Sequence, residues 1–344
     1  MSDRTVDLLI PTYKPNKDLF HLLSRIRKQD YPVRKIYIVN TDEQYWDPSL
    51  EEEFPEVIVE HIREDSFDHG GTRHKMAERS DADLLLFMTQ DALPADAYLV
   101  GNLAACFDGG GESGLRGDQG ADSADFADGA GPLGRTVRVA AAYARQLPKC
   151  GAGALEQISR AFNYPEESRV KTREDLGTLG IKTYFCSDVC AMYDRAVYME
   201  LGGFPRPVIF NEDMIFASRL IQAGYGVAYA ADARVRHSHN YSAPQQFHRN
   251  FDIGVSQAQH PEVFGNLPSE GEGVRLVKTC AQDLRRRKKG YLVVPLFWQS
   301  ACKYAGYWLG KHYRMLPGPA VRSISQNRFY WEKENRSRKY SVNS

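Results

Sequence analysis

The N-terminal part of the chain alternates short apolar runs with helix-patterned stretches, and this alternation restricts the fold more than any other feature. Val6-Asp7-Leu8-Leu9-Ile10, Lys35-Ile36-Tyr37-Ile38-Val39, Val57 to Ile62 and Leu84-Leu85-Leu86-Phe87-Met88 each read as a strand. Between them, Leu19 to Arg27 carries Leu19, Leu22, Leu23 and Ile26 at helical spacing until Tyr31-Pro32 breaks it, and Gly71 to Arg79 reads as another helix. Continuously apolar strands are buried on both faces, and the intervening helices supply the cover. The expected class is therefore α/β, with a parallel sheet covered on both faces.

Sheets of this kind bind ligands at the carboxyl ends of their strands. Pro11-Thr12-Tyr13 follows the first strand as a loop, Asn40-Thr41-Asp42 follows the second, and Thr89-Gln90-Asp91 the fourth, so Asp91 stands where a buried strand leaves the sheet. A second acidic site lies far downstream. Phe210-Asn211-Glu212-Asp213 leads into a helical stretch from Met214 to Ala223 that stops at Gly224. Acids at a helix start are often only caps, so this pair gains meaning from its surroundings. Asp188 to Tyr193 reads as a strand and Gly202-Gly203-Phe204-Pro205 as a turn. Val227 to Tyr229 and Ala233 to Val235 read as two short strands that deliver His237-Ser238-His239.

A chain of 344 residues, 42% of them hydrophobic, has room for one large core and an appendage. The division expected is 1–265 for the α/β domain and 266–344 for a basic, aromatic-rich helical region. The 44 basic and 44 acidic residues cancel, which argues against nucleic acid as a partner. Six scattered cysteines and a start without an apolar leader suggest a cytoplasmic chain with reduced thiols. Residues 108–134 are dominated by Gly, Asp, Ala and Ser and are expected to form a flexible acidic insert. Gly109 to Gly114 formally matches G-x-G-x-x-G, but no strand leads into it and acids surround it, so it is rejected as a phosphate loop. No glycine fingerprint follows the first strand either, which makes a Rossmann dehydrogenase or methyltransferase improbable. From Arg275 a basic helix ends in Arg285-Arg286-Arg287-Lys288-Lys289, ahead of the aromatic-rich run Tyr291 to Leu309, which Pro295, Gln299 and Lys303 interrupt. This region reads as a buried helical appendage, as a peripheral contact with the inner face of the cell membrane, or as an arm that pairs two copies of the chain.

Pro11-Thr12-Tyr13, Asp68-His69-Gly70-Gly71-Thr72-Arg73, Thr89-Gln90-Asp91-Ala92, Ala144-Arg145-Gln146, Phe162-Asn163-Tyr164-Pro165, Gly202-Gly203-Phe204, Asn211-Glu212-Asp213 and His237-Ser238-His239-Asn240-Tyr241 occur in that order. Over roughly residues 5–255 the series resembles bacterial family 2 glycosyltransferases with the GT-A fold, particularly the rhamnosyltransferases that assemble cell-surface polysaccharide. The resemblance implies that the sheet is a mixed, mostly parallel, Rossmann-like one. It implies inverting transfer of a sugar, L-rhamnose from dTDP-rhamnose or a sugar from a UDP donor, to a hydroxyl of a lipid-linked or growing glycan.

It also implies roles for particular residues. The strand-end acid, usually part of a D-x-D pattern, here reads Thr89-Gln90-Asp91, so Asp91 holds a divalent metal (Mg²⁺ or Mn²⁺) with His237 or His239. Asp213 is the expected general base and Glu212 its neighbour. Thr12, Tyr13, Asp42, Arg73, Gln90 and Asp91 are expected at the nucleotide-sugar, and Arg145, Gln146, Asn163 and Tyr164 on the acceptor side. Ordinary structural readings stand beside these: a cap for Thr12, a turn acid for Asp42, a surface charge for Arg73, a structural His pair, a polar loop network for the acceptor set. Two other functions compete: a nucleotide-sugar or carbohydrate-binding protein that kept the fold and lost turnover, and a membrane scaffold built on the C-terminal region.

Overall fold

The computed structural model describes residues 4–108, 137–238, 241–267 and 270–333. Its nine strands form one mixed sheet: β1 (Val6–Tyr13), β2 (Lys35–Thr41), β3 (Val57–Ile62), β4 (Leu84–Met88), β5 (Leu93–Pro94), β6 (Val139–Leu147), β7 (Arg169–Lys171), β8 (Cys190–Asp194) and β9 (Gly226–Arg236). The spatial order is β3-β2-β1-β4-β8-β6-β9-β5, with β7 along β9. The first four positions are parallel, β8 runs antiparallel to both β4 and β6, and β6 and β9 are parallel again.

Helices of ten or more residues are α1 (Lys17–Ile26), α2 (His69–Arg79), α3 (Ala154–Asn163), α4 (Glu212–Gln222), α5 (Ala243–Gln259), α6 (Glu270–Arg286) and α7 (Val293–Lys311). Side chains on a strand alternate between faces, so Leu8 and Ile10 of β1 enter a core with α1 while Leu9 enters a second core with α2 and α4. Both sheet faces are thus covered, as the apolar runs require.

Several expected boundaries move. Pro11, Thr12 and Tyr13 continue β1 and pair with Val39, Asn40 and Thr41, so they are strand and not loop. β6 extends to Leu147, which puts Arg145 and Gln146 on a strand. The two short strands near the end of the sheet are the single β9, whose register against β6 shifts between Ala144 and Arg145; exposed Asp232 lies in that irregularity. Residues 109–134 of the expected insert, with its glycine motif, and also His239 lie outside the described residues.

C-terminal to the sheet, α5 and α7 cross at backbone contact. A Cβ on Gly306 would lie 2.2 Å from the Phe247 carbonyl oxygen, and one on Gly310 would lie 2.1 Å from that of Phe251. Glycines four apart on α7 therefore let the two helix backbones touch. Asp252 of α5 fastens the segment beyond, accepting the backbone N–H groups of Gln326 (2.9 Å) and Asn327 (3.2 Å). Among the described residues no helix is long and apolar enough to cross a membrane.

Candidate active site

The carboxyl ends of β1, β2 and β4 lie side by side, and their polar residues lock together. Thr12 is buried and its hydroxyl donates to Asn40 Oδ1 at 3.0 Å; the Asn40 amide donates to the Asp42 carbonyl at 3.0 Å. Asp42 adopts φ +62°, a left-handed conformation that turns the chain sharply out of β2. Gln90 clasps the end of β1 from β4: its side-chain oxygen accepts the Tyr13 N–H at 2.9 Å and its amide donates to the Tyr13 carbonyl at 3.0 Å. The Tyr13 ring is exposed, meets Tyr45 edge-on with centroids 6.2 Å apart, and carries the Lys14 ammonium 5.0 Å from its centre. An aromatic edge with a cation beside it is a surface on which a base and its phosphates can lie.

Asp91 emerges next to Gln90 and faces His237, with Oδ2 3.5 Å from Nε2. His237 follows β9 and is buried; its Nδ1 lies 3.0 Å from Gln146 Oε1. The same Gln146 oxygen receives the Arg160 guanidinium, which only donates, and the Gln146 amide donates to Ser187 Oγ at 2.9 Å. Those partners fix the amide orientation, so Nδ1 of His237 donates to Gln146 and Nε2 is the nitrogen that faces Asp91. A carboxylate oxygen and an imidazole nitrogen 3.5 Å apart suit two adjacent ligands of a divalent ion, because ligands about 2.1 Å from a metal and at right angles are about 3 Å apart. The amide behind the imidazole is the usual support for such a ligand. Among the described residues no group of three or more His, Cys, Asp and Glu side chains converges to hold a metal. Asp91 and His237 would thus bind an ion jointly with a ligand's own oxygens.

The second acidic site is built at the start of α4. Asn211 takes φ +62°, a conformation that Asn tolerates, and turns the chain so that Glu212 and Asp213 form the first turn of the helix. Arg73 does not point to a base or phosphate from a helix start, as expected of it. It is buried one turn inside α2, with Nη1 3.2 Å from Glu212 Oε1 and Nε 3.5 Å from Asp188 Oδ2. Its helix is brought close because Gly70 has no Cβ: one would lie 2.0 Å from the Pro205 carbonyl oxygen.

The two neighbouring acids consequently differ. Burial works against ionisation of Glu212, but Arg73, then His69 3.9 Å away, outweigh it and hold the carboxyl below its usual range. Asp213 has no such cation at contact distance; burial first, and then the charge of Glu212, push it up to about 7. It accepts the backbone N–H of Met214 at 2.7 Å and of Asp188 at 3.3 Å, and the residue as a whole is intermediate between buried and exposed. Asp188 is the third carboxylate, raised by burial and by Asp213, and accepts the Tyr193 hydroxyl at 2.7 Å. Its role was not visible beforehand, although an acid opening an apolar strand was a signal.

The two acidic sites are contiguous. Contacts run from Asp91 to His237, from His237 to Gln146 and from Gln146 to Ser187, whose neighbour Asp188 donates to Asp213. Of the residues expected at the acceptor, Gln146 is spent on this network, Arg145 pairs with Glu166 at 2.8 Å, and Tyr164 is buried with its hydroxyl raised to about 12 by desolvation. Asn163 ends α3 beside them.

The mixed sheet with its covering helices, Asp91 and His237 beyond the strand ends and the Glu212–Asp213 pair at a helix start is the architecture of a GT-A glycosyltransferase. The model of "Glycosyl transferase family 2" matches residues 7–202, and the chain belongs to that family. It is a glycosyltransferase. The O-antigen chain rhamnosyltransferase RfbN of Salmonella typhimurium (strain LT2) is 36% identical over 330 residues, covering 95% of this chain and 96% of the relative. The O-antigen chain rhamnosyltransferase WbaN of Salmonella anatum is 34% identical over 332 residues, covering 94% and 95%. Among solved structures, the mannosyltransferase PcManGT of Pyrobaculum calidifontis, in complex with GDP-Man and Mn²⁺, superposes with a TM-score of 0.50 at 16% identity, covering 96% of this chain and 86% of that one. That likeness concerns the fold.

Proposed function

We propose that the protein transfers L-rhamnose from dTDP-rhamnose to a hydroxyl of a growing, lipid-linked surface glycan, with inversion at the anomeric carbon. The observation that carries the reading is the contrast within the acid pair: Glu212 neutralised by Arg73, Asp213 titrating near neutrality. The rhamnosyl assignment rests on similarity to RfbN and WbaN along nearly the whole chain.

In this mechanism the nucleotide lies across the ends of β1 and β2, against Tyr13 and the Thr12–Asn40–Asp42 network. Asp91 and His237 would hold a divalent ion, whose positive charge would stabilise the departing diphosphate. The acceptor oxygen attacks the anomeric carbon from the face opposite the diphosphate, and the anomeric carbon to oxygen bond breaks with its electron pair leaving on the nucleotide. The hydroxyl proton passes to Asp213. A base whose pKa sits near the working pH combines a substantial ionised fraction with a real affinity for that proton. Arg73 keeps Glu212 ionised, and the Glu212 charge in turn keeps Asp213 basic.

The test is release of dTDP from dTDP-rhamnose in the presence of an O-antigen oligosaccharide acceptor and Mn²⁺. Acceptor-dependent release that Asp213→Asn abolishes supports the reading; release equal in the two proteins, or from UDP-sugars alone, overturns it.

A further inference from the structure

A cavity of about 1710 Å³ lies between α3, α5, α6 and α7, outside the site described above. Three properties identify what it takes. Its size exceeds the roughly 300–1,000 Å³ of pockets for compact small molecules, so a single sugar or nucleotide would leave most of it empty. Its lining mixes polar side chains such as Gln246, Asn250 and Ser300 with the apolar Leu155, Val277, Ala281, Leu292, Leu296 and Phe297, and the apolar share gives an aliphatic chain surface to bury. Cations are set into it: Arg285 and Lys289 at an exposed rim, and Lys303 within, whose ammonium burial holds below its usual range. Glu156 is the acidic side chain that lines the same cavity, and it is already bonded to Arg160 at 2.7 Å.

The cavity also abuts the acceptor side of the active site. Asn163 and Phe185 line it; Phe185 stacks against Tyr164 with centroids 6.0 Å apart and precedes the Ser187-Asp188 segment that contacts Gln146 and Asp213.

We propose that this cavity binds the polyisoprenyl chain of a phosphate-linked lipid acceptor, with Arg285 and Lys289 meeting the phosphate. This rests on the transferase reading and adds the subsite that holds the acceptor's lipid. The outer face of α7, with Val294 75% and Trp298 65% exposed, is placed for the chain to be drawn from a bilayer surface.

Two filling variants on different helices of the lining, Ala281→Trp and Ala154→Trp, and the double charge reversal Arg285→Glu/Lys289→Glu separate this from other uses. Calorimetric titration of the full chain with geranylgeranyl phosphate, geranylgeraniol and inorganic phosphate should show tightest binding of the first. Each filling variant should weaken it at least tenfold, and the charge reversal should weaken the phosphate ester while sparing the alcohol. In turnover, the KM for a polyprenyl-linked acceptor should rise at least tenfold in the same variants, with rates on a water-soluble oligosaccharide unchanged. That soluble-acceptor rate is the folding control, and its absence in the wild-type protein would fail the transferase reading while leaving the titration to judge the cavity. Equal binding of geranylgeranyl phosphate by wild type and both filling variants overturns the proposal. So does a result in which the variants lose only sedimentation with phosphatidylglycerol vesicles, which would assign the region to a bare membrane surface.

Discussion

Gln146 Oε1 lies 3.0 Å from His237 Nδ1, and because the same oxygen also receives Arg160 it cannot be exchanged for the amide nitrogen. The contact sets which nitrogen of His237 faces Asp91. Replacing Gln146 by Leu removes the acceptor and frees the imidazole to turn. Loss of such a supporting partner typically lowers metal affinity about 10- to 100-fold. Activity titrated with Mn²⁺ after chelation should therefore shift to higher metal concentration in Gln146→Leu, with the rate recovered at saturation; an unchanged titration would remove the ion from this pair.

The Asp213 carboxyl at about 7 gives a pH profile with a direction. As the base must be ionised, kcat should climb through about pH 7 and level off above it. Asp213→Asn should lower kcat by about 10²- to 10⁴-fold and leave donor KM within a fewfold, since the group meets the acceptor proton and not the nucleotide. Initial rates from pH 5.5 to 8.5 on both proteins test this, and a profile that stays flat in the wild type refutes the assignment of the base.

The same shift has a cost in stability. An unfolded Asp titrates near ~3.9 and the folded one at about 7, so between those values the folded state holds the extra proton and stability falls as pH rises. Above about 7 the penalty is complete. Asp213→Asn has no charge to bury, and its single oxygen keeps only one of the two backbone N–H groups, which bond different carboxylate oxygens, a loss that does not vary with pH. Its melting temperature relative to wild type should thus rise between pH 4 and pH 7. A difference between the two proteins that does not vary over that range would mean that burial is not what raises the carboxyl.

The neighbouring acid should behave oppositely. Arg73 and Glu212 are almost fully buried, with side chains 7% and 9% exposed, and Glu212→Gln leaves the guanidinium facing Asp188 with its main counter-charge gone. Removing one member of a buried ion pair costs on the order of 3–5 kcal/mol. Urea unfolding at neutral pH should register a loss of that size for Glu212→Gln and for Arg73→Leu, against a gain or no change for Asp213→Asn.

The strands β1, β2 and β4 could be read from sequence because a strand buried on both faces is a local run of apolar residues, and Val6–Ile10 and Leu84–Met88 need no distant partner to declare themselves. The placement of Asp91 at a strand end followed from the same signal. What could not be read depends on pairing between remote segments. β8 inserts antiparallel between β4 and β6, and the edge strands β5 and β7 are two and three residues long, too short for any periodicity. Asp232 resembled a break between two strands because a bulge can tolerate an exposed acid inside one. Arg73 is expected at the nucleotide-sugar from a helix start, and only the approach of α4 to α2 reveals two carboxylates around it. Gln146 is expected at the acceptor from its residue type and its place in the chain between the two acidic sites, and its neighbours in space, His237, Arg160 and Ser187, cannot be seen there.

The crossing of α5 and α7 offers a prediction independent of catalysis. Gly306 and Gly310 stand where any side chain would enter the backbone of α5, and Gly254 on α5 is held in the same way, its Cβ position being 2.3 Å from the Tyr307 carbonyl oxygen. An atom at that distance cannot be absorbed by a rotamer change, because the obstacle is main chain. Gly310→Ala should therefore push the helices apart and destabilise the C-terminal pair by about 1–3 kcal/mol, the usual range for overpacking. Its Asp252 anchor to Gln326 and Asn327 depends on α5 and should loosen with it. Limited proteolysis should then cut Gly310→Ala within residues 293–333 severalfold faster than wild type, while Gly290→Ala, where a Cβ meets open space, should be cut at the wild-type rate. Equal cleavage of all three proteins would show that the close helix contact contributes nothing to holding this region in place.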